Sequence, residues 1–138
     1  MPNITGQCLC GNIKYTIAGK PLAAALCHCN DCRRISGSAF GYNWVVPTNI
    51  FSFTGEPKSY TTIANSGNPA TSHFCGNCGV TLWREGKASP GLLYLKAGAL
   101  DDRQDQVSNQ PAAELFTSRR LDWVAHIPGA HQKKEMNE

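Results

Sequence analysis

The chain has 138 residues, of which 41% are hydrophobic and 17% charged, and carries a net charge of +3. That length suits one domain able to bury its own core, and so weak a positive charge excludes an electrostatic nucleic-acid footprint. No stretch approaches the ~18 apolar residues of a membrane span, and the opening MPNITGQCLC has no secretory-signal pattern, so a cytoplasmic protein with reduced thiols is expected.

Ile13, Tyr15 and Ile17 alternate with polar or small residues, the period of a strand that Gly19-Lys20-Pro21 then ends. Residues 31–36 predict one helical turn with Asn30 as its cap. Phe40, Tyr42, Trp44 and Val46 alternate again until Pro47. Phe51-Ser52-Phe53 is a short strand closed by the turn Thr54-Gly55-Glu56-Pro57. Residues 60–63 are β-rich, and residues 65–69 read as a loop. Residues 81–83 and 92–96 predict two more short strands. After Gly98 the run LDDRQDQVSNQP reads as a surface loop, and Phe116 and Trp123 flank a last short element. The expected fold is mainly β, one domain over residues 1–130, with a disordered tail at 131–138.

Seven cysteines fall in three groups: Cys8-Leu9-Cys10, Cys27-His28-Cys29-Asn30-Asp31-Cys32, and Cys75-Gly76-Asn77-Cys78-Gly79. In a reducing compartment such clusters read as metal ligands before disulfides. Four thiolates close a tetrahedral zinc site, whereas three leave its fourth position to water or substrate. Seven therefore divides as four plus three. Cys8, Cys10, Cys75 and Cys78 could form the closed site, leaving Cys27, Cys29 and Cys32 open. Alternatively, Cys29, Cys32, Cys75 and Cys78 could form a ribbon-like site. The first division uses each local group whole and is preferred. His28, His73 or Asp31 could complete the smaller site, although His28, between two ligand cysteines, should point away from their metal.

An open three-thiolate site is soft and suits a further thiolate. It would capture a thiol such as glutathione, and its excess negative charge calls for cations, for which Arg33 and Arg34 are the nearest candidates in sequence. His28, His73 and Tyr42 are the candidate acid–base groups. The rival reading is a non-catalytic module that binds a thiol or a partner.

These residues resemble the glutathione-dependent formaldehyde-activating enzyme family, also called the CENP-V-type domain. The matching pieces are Gly6-Gln7-Cys8-Leu9-Cys10-Gly11, the run from Cys27 to Arg34, Ser36-Gly37-Ser38-Ala39-Phe40, Phe74-Cys75-Gly76-Asn77-Cys78-Gly79 and Gly98-Ala99-Leu100-Asp101-Asp102. The resemblance implies an Mss4-like fold of small coiled antiparallel β-sheets stapled by zinc. It implies two zinc ions per chain, a structural one at Cys8, Cys10, Cys75 and Cys78 and a second at Cys27, Cys29 and Cys32. It also implies a carbon–sulfur lyase, whose named reaction joins formaldehyde to glutathione. The chain is shorter than the enzyme proper and is expected to lack its additional N-terminal segment.

Overall fold

The computed structural model describes residues 3–64 and 66–136. In chain order these form β1 (Ile4–Gln7), β2 (Lys14–Ile17), β3 (Ala23–Cys27), α1 (Asn30–Ser36), β4 (Gly41–Pro47), β5 (Phe51–Thr54), β6 (Lys58–Ile63) and β7 (Pro69–Phe74). They continue with β8 (Thr81–Gly86), β9 (Leu92–Lys96), α2 (Arg103–Ser108), β10 (Ala113–Leu115) and β11 (His131–Gln132). No helix among the described residues is long and apolar enough to cross a membrane.

The fold is mainly β. One sheet has the order β1-β2-β5, and a larger one runs β11-β10-β3-β4-β9-β8-β7-β6. Pairing is antiparallel except at the end of the large sheet, where β3, β10 and β11 run parallel. The core lies between the two sheets. Tyr15 and Ile17 of β2 meet Trp44 and Val46 of β4 and Leu93 and Leu95 of β9, all buried.

Alternation finds β2 and β4, whose core-facing residues Tyr15, Ile17, Trp44 and Val46 are buried. β3 (AAALC) escapes it because both its neighbours and both its faces cover it, leaving a continuous apolar run. β7 (PATSHF) escapes it because every residue is half-buried and its middle residues Thr71, Ser72 and His73 are polar, so no apolar alternation shows.

Three local expectations are corrected. Cys29, not Asn30, is the N-cap of α1, its sulfur accepting from the Cys32 N–H at 3.3 Å. The polar run after Gly98 contains helix α2, capped by the Asp102 carboxylate on the Gln104 N–H. The tail is ordered at His131–Gln132, which pairs with β10, and residues 133–136 are also described; residues 137 and 138 lie outside the described ones. Of the expected loop at 65–69, Asn65 is likewise outside, and Pro69 opens β7.

Register decides which side chains meet. Cys27 pairs with Gly41, Ala25 with Asn43, Asn43 with Lys96, Val45 with Tyr94, and Tyr94 with Arg84. Partners in register share a face, and residues two apart along a strand share it too. One face of the large sheet therefore carries Cys27, Asn43, Tyr94, Lys96 and Arg84. The opposite face carries the core.

Candidate metal centres

The first cluster joins the two sheets. The turn after β1 supplies Cys8 and Cys10, and the turn between β7 and β8 supplies Cys75 and Cys78; their four sulfurs lie within 4.8 Å of one another. Cys10 Sγ stands 3.7 Å from both Cys8 Sγ and Cys75 Sγ. Two sulfurs bound at ~2.3 Å to one tetrahedral ion are separated by about that distance, so the cage fits zinc. Backbone N–H groups converge on the thiolates, Ile13 on Cys8 at 3.3 Å and Asn77 on Cys75 at 3.4 Å. Gly79, at φ 82°, lets the chain turn back so that its N–H meets the Cys75 carbonyl. The Cys78 thiol is pushed down to about 6, first by the Val80 N–H.

The second cluster is Cys27, Cys29 and Cys32, all buried and again within 4.8 Å of one another. The end of β3 and the first turn of α1 hold it. Gly41 packs closely beside it: a Cβ there would stand 3.0 Å from Cys32 Cβ, and the cysteine would have to give by a few tenths of an ångström. Three thiols this close cannot all ionise unaided. Cys32 is pushed down to about 2 by hydrogen bonds from Cys27 and Cys29, with Lys96 adding to the effect, while the same contacts push Cys27 up. A divalent ion would relieve that repulsion, and an all-sulfur donor set suits zinc. Among the described residues no fourth histidine, cysteine or carboxylate joins the group.

The three sulfurs open on a cleft of about 530 Å³. Asn43 points its amide Nδ2 at Cys32 Sγ, 3.8 Å away, and its Oδ1 accepts from Lys96 Nζ at 2.9 Å. Arg84 lies on the same face, 3.4 Å from Asp31 and 2.7 Å from Thr62 Oγ1. Glu85, Tyr94 and Phe116 also line the cleft.

The structure therefore brings together the cysteines that spacing grouped, and separates the other candidates. His28 is fully buried on the far side of its strand, its Nε2 donating to Glu114 Oε1 at 2.8 Å. Its expected direction, away from the sulfurs, is what alternation gives. Tyr42 faces away from the cysteines and bonds the Asn109 carbonyl and Trp44 Nε1. His73 stacks on Trp83, bonds Glu85 through its Nε2 and lines a second, more open depression, on the face away from the cysteines. Arg33 bonds Asn30, Arg34 is exposed, and neither lines the cleft. The cations at the cysteines are instead Lys96 and Arg84, which lie more than fifty residues away in sequence and carry no motif.

Glu114 is the other residue that sequence reading missed. It is fully buried yet charged. Burial alone would raise its carboxyl, but Gln132, the Ile127 N–H, His28 and Arg120 outweigh that and hold it at about 2.

No curated protein matches the chain. A crystal structure of a Rhodobacter sphaeroides protein, solved as a structural-genomics target, is similar in fold, with a TM-score of 0.60 at 17% identity over 78% of this chain and 96% of that one. The sequence model of the glutathione-dependent formaldehyde-activating enzymes matches residues 3–119, and the chain belongs to that family.

Proposed function

We propose that the protein is a cytoplasmic carbon–sulfur lyase that makes or breaks the C–S bond of a thiol adduct, glutathione or a similar small thiol being the sulfur partner. The observation that carries this reading is the cluster of Cys27, Cys29 and Cys32, three ligands without a fourth, at a cation-lined cleft. Cys27, Cys29 and Cys32 would hold a zinc ion, which would stabilise an incoming thiol as its thiolate. Lys96 and Arg84 attract the carboxylates of the thiol's body and balance the charge of the cysteines. Asn43, fixed by Lys96, holds its amide N–H groups toward Cys32.

In the breaking direction the C–S electron pair returns to sulfur and the adduct's hydroxyl carbon becomes a carbonyl. The hydroxyl proton passes to water in the open cleft. Nothing is oxidised or reduced.

The second reading, a thiol-binding module without turnover, draws on one observation. His28 and Tyr42 are both occupied by other partners and stand away from the sulfurs. Exchange NMR on formaldehyde, glutathione and their adduct separates the two readings. The lyase accelerates exchange, and Cys29→Ser slows it. Glutathione binding with no acceleration for any adduct would establish the module and sink the lyase.

A further inference from the structure

Among the described residues three polar side chains, His28, Asn43 and Glu114, are buried, and all three attend the second cysteine cluster. Asn43 meets Cys32 directly. Glu114 meets it through His28, the residue between Cys27 and Cys29. A carboxylate with no exposure costs several kcal/mol unless it is fully bonded. Here the bonds come from the segment that follows. The Ile127 N–H and Gln132 Nε2 each donate to Oε2 at 2.8 Å, and Arg120 stands 3.4 Å from the same oxygen. Arg120 also donates to Gln132 Oε1.

The same segment is stitched on by backbone bonds, Lys133 N–H to the Glu114 carbonyl and Thr117 N–H to the Lys133 carbonyl. Its later residues, Glu135 and Met136, reach the cleft itself.

We infer that residues 120–136 form a strut, which acts through Glu114 and His28 to position Cys27 and Cys29 for metal. Glu114 is a positioning residue. It touches neither sulfur nor substrate, but its bond to the His28 ring fixes the turn that aims both flanking cysteines. The inference rests on the second metal site proposed above. Groups that orient a site's ligands from behind commonly change metal affinity by ~10- to 100-fold.

The test uses the full chain loaded with zinc and, separately, with cobalt, in competition with a chromophoric chelator. Wild type binding only one ion would overturn the second site itself. With two ions bound, Glu114→Gln should weaken the second by ~10- to 100-fold and shift its cobalt absorption, leaving the four-cysteine site unchanged. Gln132→Ala, at a largely exposed residue, should give the same pattern more weakly, and it is the deciding variant if Glu114→Gln does not fold. Second-site affinity within about twofold of wild type in the folded variant, or equal weakening of both sites, would overturn the strut.

Discussion

Each cysteine cluster contains a Cys-x-Cys, and the middle residues live in opposite surroundings. Leu9, between Cys8 and Cys10, is 84% exposed; His28, between Cys27 and Cys29, is fully buried and bonded to a buried carboxylate. The four-cysteine cage is held by its own knuckles, with backbone N–H groups converging on its sulfurs and each knuckle rooted in a different sheet. A local device of this kind needs nothing from the middle residue, which can face water. The three-cysteine cluster has one short helical turn, and the rest of its support comes from Asn43, Lys96 and Glu114. The difference teaches what an incomplete donor set requires. A closed site is fixed by its ligands, whereas an open one must be fixed from behind.

The largest effect should come from breaking the cage. Metal at a structural zinc site contributes ~10–16 kcal/mol that is also folding energy, comparable with a domain's whole stability of about 5–15 kcal/mol. Cys8→Ser should therefore abolish the cooperative thermal transition seen by circular dichroism. Cys29→Ser should act on the other cluster alone. Zinc content should fall by one ion per chain, and the proposed turnover should be lost while the thermal transition persists; unfolding by Cys29→Ser would erase the distinction between the clusters.

Glu114 offers a pH test. Its folded pKa of about 2 lies below the ordinary 4.5, so its contribution is full above about 4.5 and is lost as pH falls toward 2. A shift of this size corresponds to ~3 kcal/mol at neutral pH. The urea-measured stability gap between wild type and Glu114→Gln should be widest at neutral pH and close through that acid window. A gap independent of pH would mean that the charge of Glu114 is not what stabilises it.

Lys96→Met should weaken second-site zinc by roughly tenfold, because the cation beside Cys32 is gone, and added salt should shrink that difference. Leu9→Ser should change stability by less than about 0.5 kcal/mol, as exposed substitutions do. His28→Leu should cost far more, and equal effects at the two middle positions would end the comparison.

The grouping of cysteines was legible because C-x-C and C-x-x-C converge on one ion by short-range geometry alone. Choosing between the two divisions was not, since it depends on which turns the sheets bring together. Arg33 and Arg34 were the natural cations by proximity in sequence. They sit on α1 where its last turn turns away from the cleft, whereas Lys96 arrives by pairing with Asn43 across β4 and β9. The helix after Gly98 was hidden by its polarity, since none of its residues is buried and periodicity has nothing to report.

By itself the sequence determined the mainly β character, the grouping of the seven cysteines and the family, because strand alternation, knuckle spacing and the order of motifs are all written along the chain. Only the tertiary structure decided what faces those ligands. A one-residue change of register would send Lys96 and Asn43 to the other face, and Glu114 reaches His28 only because β10 runs parallel to β3 with Glu114 beside Leu26. Contacts of that kind are set by pairing between distant strands, and no local pattern in the sequence encodes them.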